Sequence, residues 1–331
     1  MPAKILRSAL RVLLPVAALV FAAWVAVAQP VPGGNQRSKE SVEPAKLREH
    51  VEMFSSRLAP RDYTHPGNLE KCADYIEQHF REAGAAVTRQ TFTVQGQAYH
   101  NVIARFGAGK GSKVVVGAHY DSCGSTPGAD DNASGVAALL ELARLIGRNP
   151  QDREVELVAY VLEEPPFFRT ESMGSAVHAK SIAGEKLDGV IVLEMVGYFS
   201  DEWGSQSYPT PLLHLMYPAR GNFIAVVGLW EQGGWVEQVK SGMKGATDLP
   251  VSSIRAPRSL PGMDFSDHMN YWPLGINALM VTDTAFYRNK AYHSDGDTAD
   301  RLDYGRMAKV VVGVFSAITP EGTDRKHGKN F

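Results

Sequence analysis

Apolar positions recur along this chain with two periods, one helical and one strand-like. Leu69, Cys72, Ala73, Ile76 and Phe80 fall at helical spacing and predict a helix over about 68–83, with Gly84 as its stop. A shorter helix is expected over 45–56, and strand-like stretches follow at 86–94 and 99–106, before a Gly-rich turn at 107–112. Val114-Val115-Val116-Gly117-Ala118 is a continuous apolar run, the pattern of a central strand covered on both faces, and it ends at His119. Beyond it the pattern alternates. A helix is expected over 134–146, a strand over 155–162 ending in Glu163-Glu164, a helix near 172–183, and a strand over 190–193 ending at Glu194. Further strands are expected at 222–228 and 278–282, and a last amphipathic helix over 304–317. Strands alternating with helices predict an α/β fold: a single three-layer domain whose mixed, mostly parallel central sheet is flanked by helices. In such sheets a site forms beyond the carboxyl ends of the strands, which puts His119, Glu163, Glu164 and Glu194 on one rim.

The ends of the chain read differently. Lys4, Arg7 and Arg11 precede an uncharged apolar run over 12–28 that closes on Ala26-Val27-Ala28, the small-x-small pattern of a signal-peptidase site. Residues 1–28 are therefore expected to be a signal peptide cut after Ala28. The competing reading is an uncleaved membrane anchor, and either one exports the folded part to a periplasmic or extracellular location. Residues 29–44 are rich in Pro, Gly and charge and read as a linker, residues 45–320 as the catalytic domain, and residues 321–331 as a polar tail. A formal net charge of −2 with no basic stripe argues against a nucleic-acid partner. No stable membrane partner is expected unless the leader is retained. The two cysteines, Cys72 and Cys123, could pair in an oxidising compartment or stay as separate thiols, and Cys123, between Asp121 and Asp131, could itself be a ligand.

Chemistry enters with the side chains at the strand ends. His119-Tyr120-Asp121 offers an imidazole with a carboxylate two residues on, a ligand and a partner that would fix its tautomer. GADDNASG at 128–135 puts two aspartates between glycines just before a helix. Capping would need one of the polar residues there, not a double acid, so Asp131 is expected to bridge two cations. Adjacent residues of an extended chain point opposite ways, so one of Glu163 and Glu164 can ligate while the other acts as general base. Glu194 and His293 mean little alone. In this company two imidazoles and three carboxylates suffice for a pair of divalent ions, zinc first, with manganese or cobalt possible.

Taken in order, HYD at 119–121, GADDNASG at 128–135, Glu163-Glu164, Leu193-Glu194-Met195 and Tyr-His-x-x-x-Asp-Thr at 292–298 resemble the exported di-zinc aminopeptidases, co-catalytic zinc metallopeptidases related to the glutaminyl cyclases. The likeness covers about residues 45–318. It implies one metal held by His119, Asp131 and Glu194 and a second by Asp131, Glu164 and His293. Glu163 would be the general base, Asp121 the partner of His119, and Tyr292 a stabiliser of the oxyanion. The resemblance also implies a cis peptide between Asp130 and the bridging Asp131. Two positions depart from the pattern: Glu194 stands where many relatives have aspartate, and Ser294-Asp295 where Thr-Pro is common. Asp267, in Ser266-Asp267-His268, and Arg288 are expected near the substrate, although each could serve a local network instead. The expected activity is zinc-dependent removal of N-terminal residues from peptides. The alternatives are a glutaminyl cyclase-like acyltransferase with one zinc and a non-catalytic exported binding protein.

Overall fold

The computed structural model describes residues 37–319, apart from 110 and 151, together with parts of 14–30. The charged start of the expected signal, residues 31–36 of the expected linker and the expected tail lie outside the described residues. Among the described residues no helix is long and apolar enough to cross a membrane.

The apolar runs form one sheet of eight strands: β1 (Ala86–Val94), β2 (Gln97–Phe106), β3 (Lys113–His119), β4 (Glu154–Tyr160), β5 (Leu187–Glu194), β6 (Ile224–Leu229), β7 (Val251–Ala256) and β8 (Ala278–Thr282). Their order is β1-β2-β4-β3-β5-β8-β6-β7. The centre is parallel, with β3 paired to β4 and β5, and β5 to β8. Antiparallel pairs occur where β2 meets β4 and β6 meets β8. The fold class is as the sequence implies, and the carboxyl ends of β3, β4, β5 and β8 share one rim.

Helices α1 (Pro44–Glu52), α2 (Pro66–Glu82), α3 (Gly135–Arg148), α4 (Gly174–Ser181), α5 (Gly233–Met243) and α6 (Tyr304–Ile318) complete the layers. Alternation along β3 and β5 divides the core in two. Val114, Val116, Ala118, Ile191 and Leu193 pack against α1, α2, α3, α5 and α6, whereas Val115, Val190 and Val192 pack with Ala179, Ile182 and Tyr271 on the other face. Gly117 belongs to this second face, and a Cβ there would stand 2.2 Å from the Tyr160 ring.

Two expectations shift. The strand before the paired glutamates ends at Tyr160, not 162, because Leu162 takes φ 63° and turns the chain, so Glu163 and Glu164 lie on a loop. Strand β7 and helix α5 were not anticipated. VSSIRA has few apolar residues, and its burial alternates only weakly.

The second face carries a buried polar chain. Tyr160 and Tyr271 share a hydrogen bond of 2.6 Å, the Tyr271 hydroxyl meets His178 Nδ1 at 2.7 Å, and His178 Nε2 meets Glu156 Oε1 at 3.0 Å. Arg105 Nε donates to the other Glu156 oxygen at 2.7 Å. Burial alone would raise the Glu156 carboxyl, but the His178 hydrogen bond and the nearby Lys113 and Arg105 charges bring it from 4.5 down to about 2. A folded pKa below the unfolded one gives stability that is present above pH 4.5 and lost as pH falls toward 2. That difference corresponds to about 3 kcal/mol. Glu156→Gln should therefore flatten the acid limb: the fall in melting temperature between about pH 5 and pH 3 should be smaller than in the parent. An unchanged acid limb would place the acid sensitivity elsewhere.

Residues flanking the expected cleavage site are also held by the fold. Lys240 Nζ donates to the carbonyls of Ala28 and Gln29 at 2.6 and 2.7 Å, Ser253 Oγ donates to Ala28 O at 2.9 Å, and Arg255 donates to Ala26 O.

Candidate metal centre

The rim brings all five expected ligands together. His119, the last residue of β3, is fully buried, and neither ring nitrogen has a hydrogen-bond partner among the described residues. Its Nε2 lies 3.4 Å from Asp131 Oδ1 and 3.3 Å from Oε2 of Glu194, the last residue of β5. The other Asp131 oxygen, Oδ2, lies 3.1 Å from His293 Nε2, which is also 3.2 Å from Glu164 Oε2. Donor atoms arranged tetrahedrally about an ion at 2.0–2.1 Å stand about 3.3 Å apart. Each imidazole thus meets a different oxygen of one buried carboxylate at the spacing a shared ion requires. Glu163 Oε2 stands farther off, 3.9 Å from His119 Nε2.

Electrostatics fit the same account. Burial raises Glu163 well above the carboxylate range, with the Glu164 and Glu194 charges adding to it. Burial and the Asp131 charge push Glu164 up to about 7. Burial would raise Asp131 too, but the two imidazoles beside it, His119 and His293, hold it down. Burial alone would lower His293, yet its contacts with Asp131 and Glu164 lift it to about 10. Crowded acids around unpartnered imidazole nitrogens are what divalent cations relieve. The residues present fit such cations, with His119, Asp131 and Glu194 forming one close group.

The backbone around the centre is fixed by polar side chains. Asp121 faces His119 Nδ1 at 3.5 Å, and its two oxygens accept the backbone N–H groups of Glu163 and Glu164 at 3.2 and 3.1 Å. One aspartate therefore aims both glutamates. Asp297 does the same for the DD turn, accepting from Asp130 N and Asp131 N. Asn132 accepts from Gly135 N and Met195 N and donates to Leu193 O, tying the turn to the end of β5. Ser266 Oγ donates to Glu194 Oε2 at 2.7 Å. The cis bond is Asp131–Asn132, one residue later than expected.

Arg61, which the sequence reading passed over, is fully buried beneath this loop. Its guanidinium donates to the carbonyls of Tyr120, Pro127, Gly128 and Phe54. An arginine paired with carbonyls leaves no pattern in sequence. Asp297 was visible, two residues beyond Asp295, but nothing local marks it as a partner of residues 130 and 131.

The remaining site residues divide. The Tyr292 ring stacks on His293, centroids 3.7 Å apart, and lines an apolar cavity that also reaches Glu194. Asp267 is fully buried, and neither of its oxygens has a hydrogen-bond partner among the described residues. Burial raises it to about 7, and the Glu194 charge works in the same direction. Arg288 does not line the cavity. It is buried under Phe223 and Phe199 and donates to Gln206 Oε1 and Tyr198 O, so the local-network alternative describes it. Phe223, Val227, Met263, Met280, Phe286 and Tyr287 wall the cavity, and Glu194 is its one charged lining residue among those described. Cys72 and Cys123 are separate free thiols.

Comparison with known proteins agrees with this geometry. Residues 101–317 match peptidase family M28. The chain is 47% identical over 298 residues to the uncharacterized protein YfbL of Escherichia coli strain K12, covering 88% of this chain and 92% of that one. It is 38% identical over 218 residues to aminopeptidase YwaD of Bacillus subtilis strain 168, covering 63% of this chain but 42% of that protein. Among solved structures, the zinc aminopeptidase BSAP from Bacillus subtilis superposes with a TM-score of 0.68 at 15% identity, covering 85% of this chain and 96% of that one. The glutaminyl cyclase of Bacteroides thetaiotaomicron gives 0.65 at 19% identity, covering 86% and 99%. At such identities the superpositions speak for the fold.

Proposed function

The chain belongs to peptidase family M28, and from that premise we propose that it is an aminopeptidase working with two zinc ions. His119, Asp131 and Glu194 would hold one ion, and Asp131, Glu164 and His293 the other. The observation that carries this reading is the division of Asp131, with one oxygen toward each histidine. Bound there, the ions would lower the pKa of a water and polarise the scissile carbonyl. Glu163, aimed by Asp121 through its own backbone N–H, takes the proton of the attacking water and returns it to the leaving amine. Its carboxyl, raised first by burial, is disposed to take up that proton. Tyr292, stacked on His293, would stabilise the oxyanion.

The cavity argues for the side chain accepted. Its walls are apolar and aromatic, so leucyl, methionyl or phenylalanyl termini should be preferred over aspartyl or lysyl ones. Zinc-loaded protein should cleave unblocked peptides of the first kind and leave their N-acetyl counterparts intact. Equal cleavage of blocked peptides would reject the aminopeptidase reading. Cyclisation of glutaminyl peptides by protein holding one zinc would favour the cyclase, whose fold this chain shares.

A further inference from the structure

A sulfur atom reaches the same centre. Cys123 lies four residues beyond β3, and its Sγ, a Glu164 carboxylate oxygen and a His293 ring nitrogen all lie within 4.8 Å of one another. Glu164 is itself buried, and its Oε1 has no hydrogen-bond partner among the described residues. The thiol does not ride on a loose loop tip. The Cys123 carbonyl accepts from Thr126 N and Thr126 Oγ1, and Ser122 N donates to Arg61 O. Cys72, on α2, is buried and belongs to no such group among the described residues.

We propose that Cys123 is a thiolate ligand of the second metal position, beside Asp131, Glu164 and His293. This rests on the two-metal reading above. Zinc holds sulfur at about 2.3 Å, so the edge from sulfur to a neighbouring nitrogen or oxygen is about 3.6 Å. A side-chain adjustment of about 1 Å closes the present separation. On loading, the Sγ–H proton leaves to solvent as the sulfur–metal bond forms, and no electron is transferred. A soft sulfur among nitrogen and oxygen donors biases this position toward zinc and cobalt and away from manganese and magnesium. The two positions are then unequal, because the His119–Asp131–Glu194 set has no sulfur.

Cobalt(II) titration of the metal-stripped full chain, followed by absorption, tests the proposal without relying on activity. Two equivalents should bind with visible bands, and one of them should bring a near-ultraviolet sulfur-to-cobalt charge-transfer band. Cys123→Ser should lose that band. In the unaltered chain, zinc should protect Cys123 from iodoacetamide as read by mass spectrometry, so the test does not depend on the variant folding. Two equivalents without the sulfur band, a band that survives Cys123→Ser, or alkylation unaffected by zinc would each overturn the proposal and leave the peptidase reading standing. Failure to bind cobalt at all would overturn both.

Discussion

Glu163→Gln should lower turnover by about 10²- to 10⁴-fold, the usual contribution of a positioned general base, while leaving metal content unchanged. Glutamine keeps the shape and the hydrogen-bonding carbonyl of the side chain but cannot take a proton from water. Metal content should survive because Glu163 is the outlying carboxylate, 3.9 Å from His119 Nε2, whereas Asp131 and Glu194 approach that nitrogen to 3.4 and 3.3 Å. The opposing possibility is also geometric, since Glu163, Glu164 and His119 together could hold an ion. Metal analysis decides between them. An inactive variant that has lost one equivalent would make Glu163 a ligand, and an active variant would remove it from the mechanism.

Stripping the metal with a chelator should abolish hydrolysis and lower the melting temperature, with the loss growing as pH rises. The sign follows from two raised groups. Without cations the Glu164 carboxyl stands at about 7 against an ordinary 4.5, so its contribution is complete below pH 4.5 and lost as pH rises toward 7. His293 stands at about 10 against 6.5, so its contribution is present below 6.5 and fades as pH climbs toward 10. Both make the stripped protein weaker with increasing pH. Zinc works the other way, because its ligands must be deprotonated. Free zinc at a thousand times its dissociation constant would add about 4 kcal/mol. Thermal unfolding of stripped and loaded protein from about pH 5 to pH 9 measures the gap. A gap that narrows toward alkaline pH would contradict this account.

Much of this was legible before the fold was known. His119 and Glu194 are the final residues of β3 and β5, where apolar runs meeting a polar side chain had placed them. GADDNASG pointed to Asp131, whose two oxygens the fold sets against His119 and His293. What stayed hidden depends on approaches between distant segments. Asp121 was expected to serve His119, yet its closest contacts are the backbone of Glu163 and Glu164, more than forty residues away. Leu162 at positive φ ended a strand two residues early, and an apolar residue gives no warning of that conformation. Arg288 looked like a substrate contact because a charge near a site invites that reading, and only its burial between aromatic rings assigns it to the scaffold. Strand β7 was missed because VSSIRA, at the sheet edge, buries only Ser253 and Ala256, so no apolar alternation marks it.

Arg61 sets a limit on how far the protein can be shortened. The family match begins at residue 101, and a fragment cut there would retain every proposed ligand. It would lack the guanidinium that gathers the carbonyls of Tyr120, Pro127 and Gly128 under the metal loop. Those acceptors would face a void in place of five N–H donors, and the loop carrying Asp121, Cys123 and Asp131 would lose its floor. The smallest working unit therefore starts before residue 61, well upstream of the boundary that similarity alone would draw.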